Sequence, residues 1–275
     1  MPISRGDVYG RNRTSSSFRG MDRVAGSSSQ LAQQLYPSLY RDVVFRKWEM
    51  EDVIFNVTDY WTTNAGTGAT AFAVSAAVNG NIRAATGTDA TAGNRFVNLY
   101  GPLCYRGNHN CGMEVAFALS NITQSNLEIG FIDTYTTITT PVLALTDIDT
   151  IGTWAAGLGD AAVLEFQPDE TIATMRLASI GSSAVNTGTL AAVGDITTPT
   201  AAPAIGSYDV VRIQLAGNSA TLFFNNVQIA TTVAAINGGV TVRPYITFAN
   251  PAAATSRTMD IDYIAIWQDR AARTA

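Results

Sequence analysis

Tyr208-Asp209-Val210-Val211-Arg212-Ile213-Gln214-Leu215-Ala216, Gly217-Asn218, Ala220-Thr221-Leu222-Phe223-Phe224, Asn225-Asn226 and Val227-Gln228-Ile229-Ala230 follow one another in the C-terminal third and decide the fold. Val211, Ile213 and Leu215 alternate with Arg212 and Gln214, which is the period of a strand with one face on a core. Gly-Asn and Asn-Asn tolerate the positive φ of tight hairpin turns. Three antiparallel strands joined as a meander follow from this stretch alone.

Working outward, the same period recurs in both directions. Val53–Val57, Ala71–Val74, Arg95–Tyr100, Met113–Leu119, Leu127–Ile132, Ala161–Phe166, Thr174–Ala178, Val242–Phe248 and Met259–Trp267 all read as strands between Gly-, Asn- and Asp-containing turns. About a dozen strands with almost no helix require sheet packed on sheet. Ala, Thr, Gly, Asn and Val dominate, and Lys47 is the sole lysine, a composition suited to short strands. Stretches 134–160 and 179–206, rich in Thr, Ala, Pro and Gly, are the least strand-like and read as surface loops. No fixed-period repeat argues for a propeller or a solenoid.

Charge divides the chain in a second way. Residues 1–47 carry Arg5, Arg11, Arg13, Arg19, Arg23, Arg41, Arg46 and Lys47 against Asp7, Asp22 and Asp42, a net of +5, whereas the remainder is net −10. Ser15–Ser17, Ser27–Ser29 and several glycines leave residues 1–30 no hydrophobic period to build on. Ser29 is placed to cap one short helix, Gln30–Tyr36, which Pro37 would end. The expected organisation is a basic N-terminal arm over 1–47, a β-sandwich body over 48–268 and a tail over 269–275. Phe18, Tyr36 and Tyr40 among the arginines fit an arm that lies on a surface.

No run nears the roughly 20 apolar residues of a membrane span, so no membrane partner is expected. Met1 is followed by no apolar h-region, so synthesis in a cytosol is the expectation. An arm with eight cations spread among three acids is too dilute to hold a nucleic acid against an acidic body. Pairing of arginines with carboxylates on an acidic protein, with backbone added to a sheet edge, is the better use.

The meander, together with Leu127–Asp133 and the closing Asp262-Tyr263-Ile264-Ala265-Ile266-Trp267, resembles the concanavalin A-like lectin/glucanase jelly roll over roughly residues 50–268. That resemblance implies an all-β, two-sheet antiparallel jelly-roll sandwich, here preceded by an extended N-terminal arm. The superfamily holds lectins, glycoside hydrolases, adhesion domains and bacteriophage virion proteins. A lysine-poor, Ala/Thr/Gly-rich jelly roll behind an arginine-bearing arm is most similar to the virion proteins, of head decoration (cement) or fibre type.

Catalytic chemistry finds little support in the residues. The hydrolase branch carries Glu-x-Asp-x-x-Glu on one strand, and a retaining glycosidase needs two carboxyls about 5–5.5 Å apart. Glu128 and Asp133 fall on opposite faces of a regular strand. Asp260 and Asp262 share a face without a third partner, and Glu165 is the only acid of its strand. These read as solvent-facing or turn-bonding carboxylates, and no catalytic residue is expected. His109, the only histidine, sits in Cys104-Tyr105-Arg106-Gly107-Asn108-His109-Asn110-Cys111, which reads as a hairpin loop. Cys104 and Cys111 are either two thiols or a disulfide across that loop, and with His109 they lack the fourth ligand of a zinc site. No metal and no cofactor is expected. Calcium on Asp133, Asp147 and Asp149 is a minority reading, since acidic loop residues are more often turn formers.

The function expected is therefore a non-enzymatic virion structural protein made in the host cytoplasm. It would dock on the major capsid protein, or another virion protein, through Arg5, Arg11, Arg13, Arg19 and Arg23, as a homotrimer. The alternative is a fibre or tail adhesin whose jelly roll holds a host-surface glycan, with Trp154, Tyr135 and Tyr105 as candidates to stack on sugar rings.

Overall fold

The structure is a computed structural model that describes residues 43–49, 61–75, 81–91, 94–133, 158–167, 174–181, 192–194, 203–250 and 254–269. The chain divides into two compact units, Met1–Phe45 with Trp267–Ala275, and Arg46–Ile266. The expected strand over Val53–Val57 and the short helix over Gln30–Tyr36 lie outside the described residues.

Sixteen strands are described. They are β1 (Val43–Glu49), β2 (Thr62–Ala65), β3 (Thr70–Val74), β4 (Ile82–Ala85), β5 (Phe96–Tyr100), β6 (Tyr105–Arg106), β7 (Gly112–Leu119) and β8 (Asn126–Ile132). The chain continues with β9 (Ala161–Gln167), β10 (Thr174–Ile180), β11 (Ala192–Gly194), β12 (Asp209–Ala216), β13 (Ser219–Phe224), β14 (Val227–Thr232), β15 (Thr241–Ala249) and β16 (Thr258–Asp269). β1 spans the expected arm–body junction at 47/48.

They form two antiparallel sheets, as expected. One runs β14-β13-β12-β7-β16-β4-β3 with β1 beside β16; the other runs β11-β10-β9-β8-β15-β5-β2 with β6 beside β15. The meander is β12, β13 and β14, with buried and half-buried residues alternating along β12 and β13. Asn225 and Asn226 both take positive φ, 47° and 66°, as a two-residue type I′ turn requires. Between the sheets lies a core that includes Met113, Val115 and Phe117 of β7 and Leu127, Ile129 and Phe131 of β8. Ile213, Leu222 and Phe248 face the same interior from β12, β13 and β15. In β16 the core positions run Met259, Ile261, Ile264 and Ile266, so one extra residue at Asp262–Tyr263 shifts the alternation.

Two expectations are corrected and three strands are added. β11 falls inside 179–206 and pairs with β10, Ala178 opposite Val193, so that stretch is not all loop. β2, β4 and β6 escaped sequence reading because Thr62-Thr63-Asn64-Ala65, Ile82-Arg83-Ala84-Ala85 and Tyr105-Arg106 are too short or too rich in small residues to show a period. Cys104–Cys111 is not a hairpin: β6 pairs with β15, β7 pairs with β12, and a 3-10 turn over Gly107–His109 separates them. Gly217 N–H donates to Gly107 O at 2.9 Å, so the turn packs on the β12–β13 connection.

Candidate functional site

In antiparallel pairs, residues directly opposite one another project from the same face. On the face of the second sheet turned away from the core, register sets Asn64 of β2 opposite Asn98 of β5, and Asn98 opposite Thr247 of β15. Thr247 is opposite Glu128 of β8, Glu128 is opposite Glu165 of β9, and Glu165 is opposite Arg176 of β10. One row of polar side chains, from Asn64 to Glu165, thus crosses five strands. Thr247 Oγ1 donates to Asn98 Oδ1 at 2.6 Å, and Thr63 Oγ1 donates to Asn98 O at 3.1 Å.

Four members of this row are shut off from solvent. Glu128 and Glu165 are each 2% exposed, Thr247 and Asn98 no more than 1%. Farther along the same face Ile132, Leu158, Ala161, Val163, Ala178, Ile180 and Tyr245 make a second apolar cluster. Both faces of β8 are therefore buried, and the reading of Glu128 and Glu165 as solvent-facing acids is corrected. Glu165 is also not isolated, because it faces Glu128 across the strand pair. Sequence reading missed this pair because the two residues sit 37 positions apart on separate strands; each is an acid at an alternating position, which by itself marks only one side of a strand.

Facing residues in a sheet have Cβ atoms ~4.5–5.5 Å apart, near the carboxyl separation of a retaining glycosidase. Geometry across the strands is thus compatible with an acid pair, but a sugar ring needs space between and above the two carboxyls. At 2% exposure neither side chain offers it.

The other candidates fall elsewhere. Tyr105 is 2% exposed, with its ring centroid 6.1 Å from that of Phe131, so it belongs to the core and its reading as a sugar-stacking residue is corrected. Trp154, Tyr135, Asp147 and Asp149 lie outside the described residues, as do Arg5, Arg11, Arg13, Arg19 and Arg23. Asp133 is half-buried and its Oδ2 accepts from Gly159 N–H at 3.0 Å. Burial holds its carboxyl above the usual range, opposed by hydrogen bonds from the Gly159 and Asp160 backbone. Among the described residues no group of three or more His, Cys, Asp and Glu side chains is gathered as a metal site.

Cys104 is exposed and Cys111 is buried, both as free thiols. Burial, above all other causes, pushes the Cys111 thiol up and keeps it protonated and unreactive. A thiol-exchange reagent is expected to modify one cysteine per folded chain and two after denaturation. A count of zero in both states would show a bridge instead.

No protein-family model matches the chain, and no curated protein matches it. Solved structures do. The Emp47p carbohydrate recognition domain has TM-score 0.52 at 12% identity, over 81% of this chain and 94% of that one. A Bacillus licheniformis β-glucanase has TM-score 0.52 at 14% identity, over 82% and 98%. SCLam, a non-specific endo-β-1,3(4)-glucanase from family GH16, has TM-score 0.55 at 11% identity, over 83% and 92%. The fold is therefore a concanavalin A-like jelly roll, and at such identities the likeness shows the fold alone.

Proposed function

We propose that this chain is a non-enzymatic structural protein of a bacteriophage virion, a head decoration protein anchored by residues 1–47 with its jelly roll displayed outward. One observation carries the non-catalytic reading: the acid pair that register brings together, Glu128 and Glu165, is 2% exposed on both sides. Facing carboxylates enclosed in this way leave no room for a sugar ring between them, which supports the non-catalytic reading. Docking is supported by the charge split, +5 over residues 1–47 and −10 over the rest. Arg5, Arg11, Arg13, Arg19 and Arg23 would pair with carboxylates of the major capsid protein. A homotrimer would engage three arms at once and gain avidity without new contacts.

Co-sedimentation with heads that lack the protein tests this. The full chain is expected to bind, and a variant without residues 1–30 is expected to lose binding by at least about 100-fold, the lower end of what multivalent attachment contributes. A truncated chain that still decorates heads overturns the proposal. In that event the second reading, a fibre or tail adhesin, takes its place. What favours it is the likeness to a carbohydrate recognition domain.

A further inference from the structure

The outer face of the first sheet carries a cluster distinct from the buried acid row. Arg83 of β4 lies opposite Asp260 of β16, and the pair is bidentate, Nε to Oδ1 at 2.6 Å and Nη2 to Oδ2 at 2.7 Å. Asn81, two residues before Arg83 and so on the same face, donates from Nδ2 to the hydroxyl of Tyr208 at 3.0 Å. Tyr208 is 48% exposed, and Ala73, opposite Arg83 on β3, is exposed and small. Ile205, 57% exposed, rises from the same loop as Tyr208 and is bridged to Leu119.

The span of the Tyr208–Asn81 bond fixes how the ring lies. Tyr208 precedes β12, Asn81 precedes β4, and β7 and β16 lie between those two strands. Three strand spacings are ~14 Å, close to the full reach of a tyrosine and an asparagine joined end to end. The ring therefore lies along the sheet and does not stand off it. Along this path β7 presents the buried small residues Ala116 and Ala118 on its outer side. A phenol that runs along the sheet over small residues and is 48% exposed leaves aromatic surface open to solvent, and beside it the Arg83–Asp260 pair offers both donors and acceptors.

We propose that this surface is a binding site for a neutral saccharide. The apolar C–H face of a pyranose stacks on the open face of Tyr208, and neighbouring hydroxyls bond to Asp260 and Arg83. Charge selects the class of ligand: the guanidinium is neutralised by its own carboxylate, which leaves it no uncompensated charge to offer a phosphate, a uronate or a nucleic acid. An adjoining guanidinium and carboxylate match the donor and acceptor sides of a vicinal diol. The Arg83 guanidinium is held charged first by its hydrogen bond to Asp260 and then by that residue's charge, with burial opposing. This site deepens the glycan-binding reading and needs none of the arm.

Retention of the full chain on surfaces coated with dextran, galactan or mannan, and with polygalacturonate as the anionic counterpart, tests it. The wild type is expected on at least one neutral surface and not on polygalacturonate. Tyr208→Ala should lower retention at least about tenfold, the factor that ~1.4 kcal/mol of lost stacking represents. Asp260→Asn should lower it as well, and Tyr208→Phe, which keeps the ring but loses the Asn81 bond that lays it along the sheet, should fall between Tyr208→Ala and the wild type. No retention on any neutral surface, preference for the anionic one, or a Tyr208→Ala variant that binds like wild type overturns the site. A chain lacking residues 1–30 is expected to keep its retention while losing heads, so failure of the arm and failure of this site remain distinguishable.

Discussion

Replacing Gly130 by alanine is expected to destabilise the protein by about 3–5 kcal/mol, read as a lowered urea midpoint with the slope unchanged. Gly130 sits in the middle of β8, between Val163 of β9 and Tyr245 of β15. A Cβ there would lie 2.1 Å from Ala162 O and 2.6 Å from Val163 Cα. Both are backbone atoms of a central strand, so no rotamer change relieves the overlap. Relief requires β9 to move away from β8, which costs the ladder bonds on either side and displaces Glu165 from Glu128. Gly217 is the contrast. It takes φ of 60°, and a methyl group there would meet nothing within 4 Å, so alanine carries only the left-handed backbone cost of roughly 1–2 kcal/mol. Equal effects of the two substitutions would mean that β8 and β9 are not in this register.

Much of the fold was legible because its local chemistry agrees with its tertiary role. The meander alternates between a buried and a half-buried face, and its turns carry Gly217-Asn218 and Asn225-Asn226, so pattern and turn chemistry point the same way. β8 shows where that reading stops. Leu127–Ile132 was recognisable as a strand, but alternation only assigns residues to two faces; whether the second face meets water depends on chain far away in sequence. Hence Glu128 and Glu165 read as exposed and are buried. Tyr105 misled for a related reason. It stands in a polar stretch with glycine and asparagine, yet it lies in β6, beside β15, with its ring in the core.

The candidate site on the first sheet left almost no trace in the sequence. Asn81 and Tyr208 are 127 positions apart and Arg83 and Asp260 are 177, so no local spacing joins them. The signal that did exist is weak: Tyr208 is a large aromatic immediately before a strand whose own alternation begins at Asp209. A residue there is free of the strand's in-and-out pattern, and only the sheet order shows which neighbours it can reach.

The loop that presents Tyr208 hangs on Asp209, and its removal is the second large effect expected. Asp209 is 6% exposed; its Oδ2 accepts from Ala204 N–H at 2.8 Å and its Oδ1 accepts from Asn225 Nδ2 at 2.9 Å. Asn225 in turn accepts from Val210 N–H at 2.8 Å through Oδ1 and donates its own backbone N–H to Val210 O at 2.8 Å. One carboxylate thus ties the 203–208 loop and the β13–β14 turn to the start of β12. Asp209→Ala is expected to cost about 3–6 kcal/mol, two hydrogen bonds to a charged group at about 1.5–3 kcal/mol each. Asp209→Asn should cost nearly as much. Its side chain brings one acceptor and one donor to a place where both partners donate, and rotating Asn225 to compensate would forfeit the Val210 bond. The same variants should weaken saccharide retention, because the loop that carries Tyr208 to Asn81 is then no longer tied to the start of β12. An asparagine variant as stable as wild type would show that water replaces these bonds. Full stability with lost retention would instead place Asp209 in positioning Tyr208 alone, and full retention with lost stability would separate the loop's anchoring from its use.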